Sequence, residues 1–311
     1  MTTIVNALPE SSLPSQPAAP AVSRATRPFY WSVRRELWEN RSIYIAPLAA
    51  GCLALLGFMI SAIGLPERRR AVLLLGEIAQ QRARIEAPYD LIAMMLMFTS
   101  FIVGVFYCLD ALHGERRDRS ILFWKSLPVS DLTAVLAKLS IPLVVLPLLT
   151  FAVIVVTQIL MWLWTAMLLL ANGLPLPTSA QLPLFRSWIV LLYGLVVIKL
   201  WHAPIYACLL LVSAAVRRAT FLWAVLPVLA IAALEGIAFG STYWLAFLKH
   251  RLFGGMSEAF AFNKLGEHPT VDLHQLTPGN YLTTPGLWLG LVFAAAIIAG
   301  VVHLRRSRGP L

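Results

Sequence analysis

Charge is what this sequence has least of. Only 13% of its 311 residues are Asp, Glu, Lys or Arg, against about a quarter in a soluble globular domain, so the chain cannot cover a water-facing surface in the usual way. The phosphate-cradling pattern GxxxxGK[ST] is also missing, which excludes nucleotide binding through such a loop. HExxH and G-x-S-x-G are absent, and the six histidines (113, 202, 250, 268, 274 and 303) form no ligand-like cluster in sequence. Neither a zinc protease nor a serine hydrolase is therefore supported. Cysteine is sparse: Cys52, Cys108 and Cys208 each fall within an apolar stretch, as small hydrophobes rather than disulfide partners or zinc ligands. The first 27 residues, MTTIVNALPESSLPSQPAAPAVSRATR, lack the continuous apolar core of a secretory signal. Their Pro, Ser and Ala content predicts a disordered N-terminal tail (1–27).

What is present is apolar length. Hydrophobic residues make up 59% of the chain and mean hydropathy is +0.76. A bilayer core about 30 Å thick needs roughly 20 apolar residues per helix, and six segments qualify: 43–64, 90–112, 139–171, 188–215, 219–243 and 286–304. They are apolar on all sides rather than alternating, which excludes outer-membrane strands. The fold class is an all-α integral membrane protein with six transmembrane helices and both termini on one side. The third segment exceeds one crossing, so it tilts or projects; Pro142 and Pro147 near its start favour a bend.

Basic residues set the orientation. Fifteen Lys and Arg flank the N-terminal side, in 24–41, the 113–138 loop, 216–218 and the C-terminal tail, against nine on the other side. The positive-inside rule then predicts cytoplasmic termini, although five of the nine, Arg68, Arg69, Arg70, Arg82 and Arg84, crowd the first external stretch, 65–88. Glu67, Glu77 and Glu86 are placed to pair with them on an external helix. With basic residues spread along membrane flanks and no basic domain to track phosphates, the net charge of +10 does not indicate nucleic-acid binding.

Two stretches outside the spans carry pattern. In 28–42, Phe29, Tyr30, Val33 and Leu37 share an arc of about 100° at helical spacing, with Arg35 and Glu39 roughly opposite. This predicts an amphipathic interfacial helix, anchored by Trp31 and Trp38 between Arg34 and Arg41; lipid anchoring alone and contact with a cytoplasmic partner both remain open. In HGERRDRSILFWKSLPVSD (113–131), Asp118 is an expected N-cap for a helix over 119–127 that Pro128 stops, exposing Ile121, Leu122, Phe123 and Trp124. Ser130 then caps a second helix with Asp131 in its first turn. An aromatic knob ringed by charge suits a docking peg in a protein groove, and it equally suits an interfacial loop dipping into lipid.

Ionisable groups within apolar segments are costly and mark candidate sites. Asp110 falls near the end of segment two and is expected to reach the interface. Lys199 and His202 share a face of segment four, and Glu235, placed mid-way along segment five, is expected to pair with Lys199. That trio is either a packing element or the proton- or substrate-linked site of an ion-gradient-driven secondary transporter. Gly51 and Gly57, with Ala49, Ala50 and Ala54, allow close approach of segment one to a neighbour, within the chain or in a dimer.

GERRDRSILFWKSLPVSD, followed by an Ala- and Leu-rich helix, resembles the segment after the second span in permease subunits of type-2 ATP-binding-cassette exporters. YLTTPGLWLGLVFAAAIIAGVVHLRRSR resembles the last span of the same subunits, and the likeness covers most of 28–308. The resemblance implies a six-span permease domain (43–304), a cytoplasmic loop (113–138) holding a coupling helix, an extracytoplasmic loop (244–285) with short helices where YWLAFLKHRLFGGMSEAFAF fits, and a basic tail (305–311). It implies that Glu115, Arg116, Arg117, Asp118, Ser120, Phe123, Trp124 and Pro128 form or frame the contact with a separate ATPase subunit. The interfacial helix, with Tyr30, Trp31, Arg34, Arg35 and Trp38, would pack nearby. ATP and Mg would belong to that partner, so this chain would be a non-catalytic subunit without a cofactor. It would pair with a second permease subunit, identical or related, in lipid of a bacterial inner membrane. The arginine-rich 65–88 stretch departs from the simple version of that pattern.

Overall fold

Within hydrocarbon each backbone N–H must find an acceptor in its own segment, so apolar runs of this length become helices. The computed structural model describes residues 27–120, 122, 129–261 and 273–307. Among them the regular secondary structure is helical, with a single isolated antiparallel bridge between Phe260 and Leu276. Six helices are long and apolar enough to cross a membrane: span one, Ser42–Leu73; span two, Ile78–Arg117; span three, Asp131–Ala171; span four, Leu184–Ala215; span five, Thr220–Phe239; and span six, Pro285–Ser307. They correspond to the six expected segments. The expected N-terminal tail, except Arg27, lies outside the described residues, and Arg305–Ser307 belong to span six rather than to a separate tail.

Several ends differ from expectation. Span one runs through the arginine-rich stretch, and span two restarts after a short turn at Ile78. The 65–88 stretch is thus two helix extensions rather than a separate helix. Arg82 pairs with Glu86 at 3.0 Å, whereas Arg69 is buried and donates to the carbonyls of Pro175 and Leu176 and to Gln181, tying the first hairpin to the 172–183 connection. Span five stops at Phe239, where Gly240 adopts φ +61°, the left-handed C-terminal cap that glycine accepts without a Cβ clash. A further helix, Tyr243–Ala259, begins just beyond it.

Span three contains a π-helical turn at Ile141–Val145. Pro142 has no N–H to donate, so the bend expected from the prolines takes this form. Gly104 of span two faces that turn: a Cβ there would lie 3.2 Å from the Tyr206 ring and 3.5 Å from Pro142. Gly51 meets Val153 and Thr157 of span three, so it serves packing within the chain, while Gly57 has open space.

The helices pack most extensively as span six along span four, and as span one against spans two and three. Their contacts bury an apolar core at one end around Ile43, Leu112, Val135, Ile141, Tyr206 and Val301. A second core surrounds Leu96, Ile154 and Met161 at the other end. A third is built on Trp201, Phe260 and Tyr281. Span five buries none of its residues; it leans on span two through stacked Phe106 and Phe221 rings, 6.0 Å apart.

Candidate functional site

The two stems of the 113–131 loop are fixed before the loop begins. At the end of span two, the backbone N–H groups of Leu112 and His113 both donate to Ser213 Oγ, at 3.1 and 2.9 Å. Arg116 donates to the Ala214 carbonyl at 2.6 Å. These bonds hold the short helix His113–Arg117 against the last turn of span four and turn Glu115 inward, where it is buried. On the other stem, Ser130 Oγ accepts from Thr133 N at 3.1 Å, the expected N-cap. Asp131 and Lys138 follow on the inner face, seven residues or about two turns apart.

The N-terminal helix, Pro28–Glu39, completes the site. Arg35 Nη2 contacts Glu36 Oε1 and Glu115 Oε1, both at 2.6 Å. Lys138 Nζ contacts the same two oxygens at 2.8 and 3.1 Å. The result is a closed ring of alternating charge, Arg35–Glu36–Lys138–Glu115, in which Glu36 and Lys138 are 1% and 2% exposed. Tyr107 Oη donates to the second Glu36 oxygen at 2.8 Å. Beyond the ring, Arg305 of span six reaches Glu115 Oε2 at 3.4 Å and Asp131 Oδ1 at 3.1 Å.

Buried ions cost several kcal/mol each in lost hydration, repaid only when opposite charges and hydrogen bonds surround them. Opposite charges do surround them: Arg35, Lys138 and Arg305 face Glu36, Glu115 and Asp131, so the cluster is neutral in sum. Hydrogen bonds join Arg35, Glu36, Glu115, Lys138 and Tyr107, while Arg305 Nε and Glu115 Oε2 meet their partners as ion pairs without an aligned hydrogen bond. Burial alone would raise the pKa of Glu36. The charges of Lys138 and Arg35, with hydrogen bonds from Lys138 and Tyr107, outweigh it and hold the carboxyl below its ordinary value. Burial likewise works against the Arg35 guanidinium, but Glu36, Glu115 and Glu39 more than offset it and raise its pKa. Glu36 and Arg35 are thus both favoured in their charged forms.

The expected interfacial helix therefore presents its surfaces differently from the sequence reading. Phe29, Tyr30, Trp31 and Trp38 are exposed, and Arg34 lies over the rings of Trp31 and Trp38 at 5.2 and 4.5 Å. Arg35, placed on the outer polar face by the helical wheel, turns inward because Glu36 and Glu115 offer it two carboxylates there.

Among the loop residues, Arg117 is exposed and pairs with Asp118 at 3.1 Å. Asp118 closes the helix His113–Arg117 instead of opening the next one, and Arg119 takes φ +58°, which separates that helix from the helical residues Ser120 and Leu122 of the expected 119–127 helix. Ser120 Oγ donates to the Glu115 carbonyl at 3.4 Å. Leu122 is exposed; Phe123, Trp124 and Pro128 lie outside the described residues.

The intramembrane trio does not assemble. Lys199 Nζ bonds Tyr206 Oη at 3.2 Å. His202 Nε2 donates to the Leu252 carbonyl at 2.8 Å, because a carbonyl can only accept. Glu235 lies four residues from the end of span five and accepts from Ser241 Oγ and from the backbone N–H groups of Tyr243 and Trp244, at 2.7, 2.7 and 2.8 Å. It caps the 243–259 helix, so the expected Lys199–Glu235 pair is not formed. Asp110 is exposed, as expected, with Arg117 at 4.0 Å.

Sequence reasoning missed the roles of Glu36, Tyr107, Lys138 and Arg305. A signal existed for three of them. At 100° per residue Glu36 falls about 20° outside the apolar arc, beside Phe29. Lys138 extends the inner stripe Ala134–Val135, and Arg305 follows Val301 by four. Comparisons of the chain with protein-family models, with curated proteins and with solved structures returned no match. No group of three His, Cys, Asp or Glu with metal-holding geometry occurs among the described residues.

Proposed function

We propose that the chain is the membrane permease subunit of an ATP-binding-cassette transporter of the type-2 class, an exporter working as a homodimer or with a related subunit. In this reading both termini and the 113–138 loop are in the cytoplasm of a bacterium, in its inner membrane. A separate ATPase subunit binds ATP and Mg, and its motion pushes the loop and reorients the spans. The observation that carries the reading is the buried ring at the loop's neck. A lever transmits force only if its base does not yield, and here both stems are bonded to each other, to the N-terminal helix and to spans four and six. A loop that merely dipped into lipid would need no such base.

The rival reading, an ion-gradient-driven carrier using Lys199, His202 and Glu235, loses its geometric support with the separation of Glu235 from the other two. Purification in mild detergent tests the proposal. A subunit bearing a phosphate loop should accompany the chain, and Phe123→Asp with Trp124→Asp should release it. Transport that persists without such a partner but collapses with the proton gradient would overturn the reading.

A further inference from the structure

Arg305 and Arg306 are neighbours at the end of span six, yet their side chains are 4% and 66% exposed. Helical geometry accounts for the difference. The buried face of span six runs through Leu287, Ala294, Ile298 and Val301, and a residue four beyond Val301 falls on that same face. Arg305 is thus carried into the bundle while Arg306 points away, so the two arginines are not interchangeable members of a basic flank.

Inside, the guanidinium meets two carboxylates from opposite stems of one loop. Glu115, near the end of span two, lies on the loop's first stem, Asp131 opens span three on its second, and Arg305 is at ion-pair distance from both through Nη2 and Nε. Neither stem supplies this staple; it comes from a third element. A planar guanidinium presents donors along two edges and can serve two acids at once, whereas a lysine ammonium is a point charge on a flexible stem.

We propose that Arg305 is a positioning residue of the coupling apparatus, making the end of span six move as one body with the neck of the 113–138 loop. Displacement of the loop then enters the bundle through span six as well as through spans two and three. From span six it passes to span four, the partner along which it packs most extensively. The inference rests on the coupling role proposed above and adds a second path for the motion.

The test uses the full chain with its co-purified ATPase in lipid nanodiscs. Spin labels at Arg119→Cys and Ser307→Cys are each paired with one at Ser179→Cys, in the 172–183 connection beyond the far end of span three, in a background with the native cysteines replaced. Pulsed electron resonance reads both distances with and without ATP, Mg and vanadate. In the otherwise native complex both distances should shift together on nucleotide binding. In Arg305→Lys the 119–179 shift should survive and the 307–179 shift should be lost. Asp131→Asn cuts the same staple from the other stem and should give the same loss, which separates the effect from misfolding of any one variant. If both variants keep the 307–179 shift, or if position 307 stays still in the native complex while 119 moves, the role assigned to Arg305 is overturned alone. If neither distance shifts in the native complex, the coupling reading fails and takes this inference with it.

Discussion

Replacing Lys138 with Met removes one ammonium from the ring and keeps the side chain's apolar length. Its Nζ lies 2.8 Å from Glu36 and 3.1 Å from Glu115; at an effective dielectric of 20 each contact is worth about 5–6 kcal/mol before desolvation. Removing the ammonium also removes its own burial cost, so the net loss falls to about 3–5 kcal/mol, the range for breaking one partner of a buried pair. Glu36 keeps Arg35 and Tyr107, which places the expected loss near 3 kcal/mol. The double variant Glu36→Gln with Lys138→Met takes out one charge of each sign. It should therefore be less destabilised than the sum of the single variants, with a coupling of at least about 1 kcal/mol. Denaturant unfolding in detergent micelles, followed through tryptophan fluorescence, measures the cycle. Strictly additive losses would refute the ring as an energetic unit. The same cycle has a pH signature. The Glu36 pKa is held below its ordinary 4.5, so its contribution is present at and above that value and is lost as pH falls through the lowered one. In Lys138→Met the fall should begin at higher pH, because the largest lowering cause is gone.

Three further outcomes follow from the same geometry. Gly104→Ala should cost about 1–3 kcal/mol by overpacking Tyr206 and Pro142, whereas Gly57→Ala, with open space around it, should leave the unfolding midpoint unchanged or slightly raised. Glu235→Gln should speed hydrogen exchange at the Tyr243 and Trp244 amides, and Glu235→Lys combined with Lys199→Glu should rescue nothing; recovery by the exchange would restore the rejected pair. Arg306→Gln, an exposed partner of Asp131, should lose no more than about 1 kcal/mol, while Arg305→Gln should lose about 3 or more; equal losses would contradict the different burial of the two.

Much of the architecture was legible because its causes are local. Six apolar runs must be helices wherever they lie, and Pro142 and Ser130 act on their own turn through a missing N–H and a capping hydroxyl; Gly240, whose left-handed φ ends span five, was passed over inside the expected segment 219–243. The loop after span two stood out in sequence as an unusual block, but Glu115 and Arg116, expected to form or frame a partner contact, are buried inside the bundle. Reasoning from the same kind of pattern failed where a charge had to choose among partners. Glu235 was matched to Lys199 because both lie in apolar segments, but span five ends sooner than its hydropathy suggests, and three nearby donors in Ser241, Tyr243 and Trp244 satisfy the carboxylate first. Asp118 was read as opening a helix, although the turn it occupies closes one.

Composition and spacing alone determined that this chain crosses a membrane as helices, roughly where each crossing lies, and that charge gathers in the segments between them. Only the folded arrangement decided which of those charges are bonded and which merely flank the bilayer. Arg35 and Arg34 differ by one position, as do Arg305 and Arg306, and no count of basic residues distinguishes them. The distinction arises because residues 36, 115, 138 and 305 meet from four separate segments, and an ion in low dielectric is stable only where its counter-ions converge.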